Sequence, residues 1–283
     1  MRWSRFMEHG QEKLGIWKDG GLLHLADLDP ALRPNHLVMA GSAVASHLDW
    51  RLRHLRGIRL VDPATIRFLP PLLGHRVLCA GLNYRSHAEE TGLEIPHHPT
   101  FFLRHEDSLA GHGDFLRIPE ASSQLDYEGE LAVILGRECH GIMDREDALA
   151  IIAGYTILND GSIRDYQFRS SQWTLGKNFP ASGACGPWVT SAEEVPAGAT
   201  GLRVETFVGG ERLQSGNTTD LIFDVADLIR ELASCMFLRA GDLVATGTPS
   251  GVGFTRDPPR FLRPGDRCRI EIEGIGVLEN PVT

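Results

Sequence analysis

Three carboxylates stand at alternate positions beside an apolar run in the stretch LDYEGELAVILG, which covers residues 125–136. If this stretch is a strand, Asp126, Glu128 and Glu130 share one face, because side chains two residues apart point the same way. Carboxylates on a buried face repel one another and lose hydration unless a cation or several hydrogen-bond donors compensate them. The pattern therefore raises the question of which group compensates them.

The same E-x-E spacing recurs in CRIEIEGIG, where Glu271 and Glu273 alternate with isoleucines. An amphipathic strand with a hydrated carboxylate face accounts for that segment without a ligand. In the first stretch, however, Glu130 leads into an apolar run typical of a strand buried on both faces. A metal or catalytic role and a hydrated strand face both remain open for Glu128 and Glu130.

A further carboxylate, Asp160, closes the strand-like run of GYTILNDGS. Residues at strand ends that lead into loops often bind ligands, although an Asn-Asp-Gly turn with local hydrogen bonds is an equal alternative. Two glutamates from one strand and this aspartate would form an oxygen-only ligand set. Such a set suits Mg²⁺, Mn²⁺ or Ca²⁺ and disfavours zinc, which prefers nitrogen and sulfur.

His87 is the candidate general base. It stands three residues before Glu90 in GLNYRSHAEETG, and a short helix would bring both side chains to one face. A carboxylate that orients an imidazole makes histidine an effective base near neutral pH. An exposed helix that carries both residues by chance is the alternative. Because Gly92 and Pro96 follow, the segment is also a candidate lid.

Lys177 in TLGKNF and the loop ATGTPSGVG complete the candidate residues. The loop lacks the G-K-[ST] ending of a phosphate-binding P-loop, which argues against nucleotide binding. Thr246, Gly247 and Thr248 follow the strand-like run DLVA, so their hydroxyl and N–H groups could hold a carboxylate. A plain glycine-rich turn is the alternative.

The elements that would position these residues are mostly short strands between Gly, Pro and Asp turns. Helices are predicted in MDREDALAIIAGY, with Asp144 as the N-cap, and in FDVADLIRELASCMFL, with Asp224 as the N-cap. Hairpins are predicted about the DGG turn near the N-terminus and about Gly209-Gly210.

The domain boundary is predicted near the Pro70-Pro71 break, which precedes a buried strand-like run at residues 77–80. The N-terminal hairpin and the helical or irregular chain after it, up to about residue 60, would belong to a small domain over residues 1–72. The remaining residues, 73–283, would form the catalytic domain.

The amino-acid composition limits the classes of molecule that the protein is expected to bind. With 283 residues, of which 42% are hydrophobic and 23% charged, the chain is typical of a globular protein with a sizeable core. Acidic residues outnumber basic ones by 37 to 28, which argues against nucleic acid or an anionic membrane and favours a small molecule. No secretory signal or membrane-spanning stretch is recognised, so a cytoplasmic location is predicted. The scattered cysteines suggest neither disulfides nor zinc.

Eight segments occur in the order typical of one known family: GLNYRSHAEE, DYEGELAVILG, AGYTILNDGSIRDYQ, GKNF, GPWVT, IFDVADLI, GDLVATGTPSGVG and RPGDRCRIEIEGIGVLENPV. They carry the resemblance: over roughly residues 75–283 the chain resembles the fumarylacetoacetate hydrolase family. The resemblance implies a strand-rich α+β fold, with a mixed β-roll or β-sandwich catalytic domain that has few helices. The first seventy or so residues resemble the small N-terminal α+β domain of many bacterial members. A homodimer is also implied.

The resemblance assigns roles by matching segments. Glu128, Glu130 and Asp160 are implied to bind a divalent metal, usually Mg²⁺, whereas Asp126 becomes a turn or supporting residue. His87 and Glu90 are implied to form a water-activating dyad on a lid. The residues implied to contact substrate are Arg164, Gln167, Lys177 and Thr248.

Family members act on 2-oxo acids, so the resemblance implies cleavage of the carbon–carbon bond in an acylpyruvate-like β-diketo acid, in aromatic-compound or related catabolism. His87 would take a proton from water, the hydroxide would attack the distal carbonyl, and Lys177 would stabilise the oxyanion. An alternative is decarboxylation or isomerisation of a 2-oxo diacid, of the oxaloacetate or 2-hydroxyhepta-2,4-diene-1,7-dioate type. A metal-stabilised binding protein without turnover is a third alternative.

Some positions depart from the family pattern. Where many members read N-D-V-S-A-R-D, this chain has Gly161 and Ile163 in NDGSIRD, and where many carry a lysine it has Arg104 and His105 in FFLRHEDS. GKNFPASGACGPW also lacks the aspartate and threonine commonly found after G-K. These departures predict an altered acid-binding pocket and leave the substrate open.

Overall fold

The computed structural model describes residues 1–29, 48, 50–54, 57, 59–72 and 76–283. In this part of the chain the strands are β1 (Arg2–Glu8), β2 (Gln11–Lys18), β3 (Gly21–His24), β4 (Arg67–Leu69), β5 (Val77–Gly81), β6 (Thr100–Arg104), β7 (Leu109–Ala110), β8 (Leu125–Asp126), β9 (Gly129–Leu135), β10 (Ile152–Asn159), β11 (Ser162–Ile163), β12 (Gly183–Ser191), β13 (Arg203–Val208), β14 (Glu211–Asn217), β15 (Leu243–Ala245), β16 (Arg267–Ile272) and β17 (Gly276–Pro281).

The described helices are fewer than the strands, and the longest is Val225–Cys235, with 11 residues. Those described are Leu25–Leu28, Arg85–Thr91, Arg145–Ala150, Arg164–Gln167, Thr174–Lys177 and Val225–Cys235, and residues 48 and 50–54 are also helical. Single 3₁₀ turns occur at Pro63–Thr65, Glu106–Ser108, Ala192–Glu194, Ala197–Ala199 and Thr218–Asp220. This content confirms the predicted strand-rich α+β class.

The strands form one large mixed sheet, one small sheet and a short pair. The large sheet has the order β3-β2-β1-β12-β10-β9-β15-β5-β6, with β4 beside β1 and β7 beside β12. Its strands pair antiparallel except for β15 with β5 and β7 with β12. The small sheet, β14-β13-β16-β17, is antiparallel, and β8 pairs with β11.

Strand β9 is buried on both faces, as its apolar run predicts. Leu131, Val133 and Leu135 enter the core cluster that also contains the inner face of the small sheet and the helix Val225–Cys235. Ala132 and Ile134 enter a second cluster, which includes Trp3 and other N-terminal residues. The strand that begins between the two glutamates therefore lies in the middle of the molecule.

The predicted helix caps and hairpin turns are present in the structure. Asp144 and Asp224 cap their helices by accepting hydrogen bonds from the backbone N–H groups of Asp147 and Asp227. The predicted hairpins form between β2 and β3 and between β13 and β14, where the turn residue Gly210 has φ +88°. On β16 the isoleucines are buried and Glu271 is not, which confirms the hydrated carboxylate face.

The N-terminal strands continue the large sheet. Strand β1 pairs with β12 through Trp3 and Val189, so β1–β3 extend the sheet that carries the site. The division at residue 72 stays a prediction, and most of the chain predicted as helical or irregular before residue 60 lies outside the described residues. Among the described helices, none has the length and apolarity needed to span a membrane.

Candidate metal and active site

Glu128, Glu130 and Asp160 converge where two neighbouring strands meet. Glu128 immediately precedes β9 and Asp160 immediately follows β10, and the antiparallel register pairs Leu158 with Glu130. All three side chains are buried, and one carboxylate oxygen from each lies within 4.8 Å of the others. The backbone N–H of Asp160 also donates to the Glu128 carbonyl at 2.9 Å. Strand pairing thus assembles an oxygen-only cluster.

Asp126 lies outside this cluster. The strand is interrupted at residues 127–128, so Asp126 does not lie on one continuous strand with both glutamates, although Asp126 and Glu128 contact the same guanidinium, that of Arg164. Its carboxylate instead accepts hydrogen bonds from Arg164 Nε at 2.8 Å and from the backbone N–H groups of Gly253 and Phe254 at 2.8 and 3.0 Å. Asp126 therefore joins Arg164 to the loop that follows β15.

Three buried cations surround the acidic cluster. Lys177 Nζ lies 2.8 Å from Glu128 Oε2 and 2.6 Å from Asp160 Oδ2. Arg164 Nη1 lies 2.6 Å from Glu128 Oε1, and Arg104 Nη1 lies 2.6 Å from Asp160 Oδ1. Glu130 has no such basic partner in the described part of the chain, and its Oε2 accepts from the backbone N–H of Gly247 at 2.9 Å.

The pKa values of the cluster differ because the cations are unevenly shared. Burial opposes ionisation of Glu128, but the charges of Lys177 and Arg164 outweigh it and lower the pKa to about 2. Burial and the charges of Asp160 and Glu128 raise the pKa of Glu130 well above its ordinary value. Burial would lower the pKa of Lys177, but Asp160 and Glu128 raise it, so the ammonium stays charged.

This distribution of charge fits a divalent cation. Carboxylate oxygens are the ligands that Mg²⁺, Mn²⁺ and Ca²⁺ prefer, and here they come from Glu128, Glu130 and Asp160. A cation beside Glu130 would supply the positive charge that this buried carboxylate lacks. The residues present are therefore suited to a hard divalent metal.

His87 and Glu90 face each other on the helix Arg85–Thr91, as their spacing predicts. His87 Nδ1 lies 3.1 Å from Glu90 Oε2, and Glu90 Oε1 accepts from the Gly251 N–H and the Thr255 hydroxyl, both at 2.9 Å. Burial raises the pKa of Glu90, but the hydrogen bonds from His87, Gly251 and Thr255 outweigh it and lower the pKa overall. The Glu90 carboxylate is thus held ionised. Because Nδ1 of His87 faces Glu90, Nε2 is the ring nitrogen that remains for contact with a ligand or water.

Gln214 and Thr248 hold the start of β9. Gln214 Oε1 accepts from the Gly129 N–H at 3.0 Å, and its Nε2 donates to Thr248 Oγ1 at 2.8 Å. Thr248 Oγ1 in turn donates to the Gly129 carbonyl at 3.1 Å. The backbone between the two glutamates is therefore fixed by one side chain from β14 and one from the loop after β15.

Arg164 carries a free donor. Its Nε and Nη1 contact Asp126, Glu128 and Gln167, but among the described residues the buried Nη2 has no hydrogen-bond partner. Buried donors without partners are rare in folded proteins. Arg164 also lines the cavity described next, so Nη2 is available to an anionic ligand.

One cavity of about 170 Å³ joins most of the candidate residues. Glu90 is absent from its wall but reaches it through His87. The predicted site residues in the wall are His87, Glu128, Glu130, Asp160, Arg164, Gln167, Lys177 and Thr248.

Some residues of this region cannot be assigned to a site from the sequence alone. In the sequence Arg104 is only a departure from the family pattern, yet it contacts Asp160, and Gln214, which holds the Gly129 N–H, carries no local sequence signal. The cavity wall also contains the aromatic residues Phe102, Phe168, Trp173 and Phe254. Scattered single aromatics resemble ordinary core residues in sequence, so only the folded chain shows that they meet.

Comparison with known proteins shows the family and the fold of this chain. The family model described as fumarylacetoacetate (FAA) hydrolase C-terminal matches residues 76–283. The oxaloacetate tautomerase YisK of Bacillus subtilis is 44% identical over 215 residues, which are 75% of this chain and 71% of that protein. The solved fumarylacetoacetate hydrolase of Exiguobacterium antarcticum covers 100% of this chain and 99% of its own, with a TM-score of 0.84 and 33% identity. The maleylpyruvate hydrolase of Sphingobium sp. SYK-6 covers the same shares, with a TM-score of 0.81 and 28% identity.

Proposed function

Because this chain belongs to the fumarylacetoacetate hydrolase family, we propose that it is a metal-dependent hydrolase of an acylpyruvate-like β-diketo acid. The products are pyruvate and a carboxylic acid. The observation that carries this proposal is the meeting of a histidine–carboxylate dyad and a buried three-carboxylate cluster in one cavity. The dyad supplies a base for water, and the cluster supplies ligands for a Lewis acid.

Glu128, Glu130 and Asp160 would hold the ion. When bound there, a divalent cation, Mg²⁺ in the first instance, stabilises negative charge that develops on the 2-oxo group of the substrate. The unpartnered Nη2 of Arg164 is placed to receive the substrate carboxylate. Gln167 lies beside this guanidinium, with its Oε1 accepting from Nη1 at 2.8 Å, and so keeps the donor oriented.

His87 performs the proton transfers. Its Nδ1 faces Glu90, so its Nε2 takes a proton from water, and the ionised Glu90 stabilises the resulting imidazolium. The hydroxide forms a bond to the distal acyl carbon, and the carbon–carbon bond breaks with its electron pair left on the pyruvate fragment. The imidazolium then returns its proton to the carbon of the pyruvate fragment that kept the electron pair, which becomes the methyl group of pyruvate. The balance is the addition of one water molecule.

The contacts of Lys177 differ from those expected for the oxyanion role that the family resemblance implies, because its ammonium group binds Glu128 and Asp160. Its Nζ donates to Glu128, to the Asp160 carboxylate and, at 3.4 Å, to the Asp160 carbonyl. These acceptors occupy its three protons. Lys177 therefore holds two ligand carboxylates together, and stabilisation of an oxyanion requires that it exchange one of these contacts.

A second candidate is tautomerisation or decarboxylation of a 2-oxo diacid. It is favoured by the similarity to the oxaloacetate tautomerase of Bacillus subtilis. The same cluster and the same enolate serve this reaction, because each alternative develops charge on the 2-oxo oxygen. The two reactions differ in what leaves the substrate, and that difference is measurable.

The test is a substrate panel with purified protein and Mg²⁺ or Mn²⁺. Acylpyruvates and oxaloacetate are followed for pyruvate release, carbon dioxide and keto–enol exchange, with chelator-treated protein as the blank. We expect pyruvate release from an acylpyruvate, lowered by about 10²-fold or more in His87→Ala. His98→Ala is the matched control, because His98 is exposed and lies outside the cavity. Full hydrolytic activity in His87→Ala, or exchange without cleavage, would overturn the proposal.

A further inference from the structure

Two aromatic pairs form the part of the cavity wall that the proposed chemistry leaves unused. Phe102 and Trp173 meet edge-to-face, with ring centroids 5.5 Å apart and planes at 69°. Phe168 and Phe254 meet at 5.4 Å and 60°. All four rings line the cavity of the carboxylate cluster, together with Leu82 and Leu93.

One ring of each aromatic pair lies beside a cation of the site. Lys177 Nζ lies 4.9 Å from the centroid of the Phe102 ring, and Arg164 Cζ lies 4.4 Å from that of Phe254. A ligand whose polar head reaches Arg164 and the carboxylate cluster therefore meets aromatic rings with the rest of its body. The cavity thus combines a charged head site with aromatic rings directly beside it.

The basic side chains that the described part of the chain contributes to the cavity wall leave none for a second carboxylate. Within the described residues, the basic groups of the cavity wall are His87, Arg164 and Lys177. His87 faces Glu90, and Lys177 is shared between Glu128 and Asp160. Arg164 retains one free donor, Nη2, which suffices for one carboxylate head. A distal carboxylate would then lie against rings without a counter-charge, which is unfavourable.

The fold provides a place for Trp173. Gly81 ends β5, and a Cβ atom built on it would lie 2.1 Å from the Trp173 ring. The indole therefore packs directly on the Gly81 backbone, and any side chain at this position must displace it. Phe168, in contrast, is 58% exposed at the outer side, so it can be covered by a bound ligand.

We propose that the substrate carries an uncharged apolar acyl group, aryl or bulky aliphatic, which sits between the Phe102–Trp173 and Phe168–Phe254 pairs. This inference rests on the proposed function and names its substrate class. It makes Trp173 a specificity-determining residue. An apolar contact of this kind favours the substrate that buries the larger apolar area. Its loss is expected to lower kcat/KM by about tenfold or more for a substrate that makes the contact.

The experiment compares substrates that share the pyruvate head. Benzoylpyruvate, acetylpyruvate and fumarylpyruvate carry an aryl, a methyl and a charged distal group, respectively. We expect benzoylpyruvate to exceed fumarylpyruvate in kcat/KM by about tenfold or more. Trp173→Ala should remove most of that advantage through KM while it leaves acetylpyruvate within about threefold, because acetylpyruvate does not reach the ring.

Companion variants separate specificity from structural damage. Trp173→Phe should restore most of the benzoylpyruvate activity, and Gly81→Ala should mimic Trp173→Ala by displacing the indole. Leu175→Ala is the matched control, since Leu175 is exposed on the short helix that begins directly after Trp173 and lies outside the cavity wall. An equal loss for all three substrates in Trp173→Ala, or a preference for fumarylpyruvate, overturns the inference.

A binding measurement keeps this inference distinct from the proposed hydrolysis. Phenylpyruvate and 2-oxoglutarate are titrated into the Mn²⁺-loaded protein by calorimetry. If no acylpyruvate is cleaved but phenylpyruvate binds about tenfold more tightly in a Trp173-dependent manner, the hydrolase proposal fails and the apolar site stands. If 2-oxoglutarate binds as tightly or more tightly, the apolar site is wrong whichever reaction is catalysed.

Discussion

Arg104 Nη1 donates to Asp160 Oδ1 at 2.6 Å, and both side chains are buried. The same nitrogen donates to the Gly161 carbonyl at 2.9 Å, and Nη2 donates to Ser182 Oγ at 3.0 Å. A Cβ atom on Gly183 would lie 2.7 Å from Nη2. The guanidinium thus occupies a space bounded by backbone and lies behind Asp160, outside the cavity wall.

This arrangement joins two of the departures from the family pattern. A Cβ atom on Gly161 would lie 2.0 Å from the Ser182 carbonyl oxygen, so the residue after Asp160 must be glycine in this backbone. Arg104 then reaches the Gly161 carbonyl. Gly161 and Arg104 are therefore parts of one packing arrangement that fixes a metal-ligand candidate, and their effect on the pocket is indirect.

Removal of Arg104 should destabilise the fold and the cluster together. Arg104→Ala leaves the buried Asp160 carboxylate with one cation fewer, and breaking a buried pair in this way costs about 3–5 kcal/mol. We expect a loss of that order in the free energy of unfolding, measured with urea, and weaker Mn²⁺ binding. Arg104→Lys should lose less, because it keeps the charge but not the fork of donors.

The matched control for this variant is Arg67→Ala. Arg67 pairs with Asp114 at 2.9 Å but is 63% exposed, so its removal should cost about 0–1 kcal/mol. If Arg104→Ala and Arg67→Ala unfold at the same urea concentration and bind Mn²⁺ equally, the supporting role of Arg104 is wrong.

Metal binding should release protons from Glu130. The pKa of this carboxyl is raised by burial and by the charges of Asp160 and Glu128, so the metal-free protein retains a proton there at pH values above 4.5. An incoming cation must displace that proton, and the apparent affinity therefore rises with pH until the raised pKa is passed. Calorimetric titration of Mn²⁺ in buffers of different ionisation enthalpy measures the release.

Two variants complete the metal titration. Glu130→Gln should weaken Mn²⁺ binding and abolish the dependence of the enthalpy on the buffer, while Glu271→Gln, on the hydrated face of β16, should change neither. Tight Mn²⁺ binding with a buffer-independent enthalpy in the unmodified protein would contradict the protonation of Glu130.

Much of this fold was predictable because its signals are local. The apolar run after Glu130, the capping aspartates Asp144 and Asp224 and the glycine turn at Gly209-Gly210 each act over a few residues, and the structure contains all of them. The spacing of His87 and Glu90 likewise needs only one turn of helix. Such features can be derived from residues that are neighbours in sequence.

The remainder depends on contacts between distant segments. Gln214 accepts a hydrogen bond from the Gly129 N–H although the two residues are 85 positions apart in sequence, and Arg104 donates to Asp160 over a separation of 56 positions. The interruption of the strand at residues 127–128 leaves Asp126 on β8, which pairs with β11, and Glu130 on β9, although their spacing suggests one strand. Register and loop packing decide these relationships, and neither is encoded in local periodicity.

The dyad should contribute to stability in a pH-dependent manner. The pKa of Glu90 is lowered below its ordinary value of 4.5, so the unfolded chain binds the proton more readily than the folded one. The stabilisation is therefore complete above pH 4.5 and is lost as the pH falls towards the lowered pKa. The difference in unfolding free energy between the protein and Glu90→Gln should shrink over that range.

Urea unfolding at a series of pH values tests this, with Glu89→Gln as the control on the same helix. Glu89 is exposed, so its substitution should give a small difference without this trend. A difference for Glu90→Gln that grows as the pH falls below 4.5 would show that the carboxylate is not held ionised by His87, Gly251 and Thr255.

Gly247 couples the loop after β15 to the metal-ligand candidates. Its φ of +94° lies in the region that favours glycine, its N–H donates to Glu130 Oε2 at 2.9 Å, and a Cβ atom would lie 2.9 Å from that of Asn83. Gly247→Ala should therefore cost about 1–3 kcal/mol in unfolding free energy and also weaken Mn²⁺ binding, since the N–H must move away from Glu130. Gly210→Ala isolates the contribution of the backbone angle, because Gly210 has φ +88° with open space around it. The control should lose stability but retain full Mn²⁺ affinity, whereas equal behaviour of the two variants in both measurements would show that the Gly247 contact does not position Glu130.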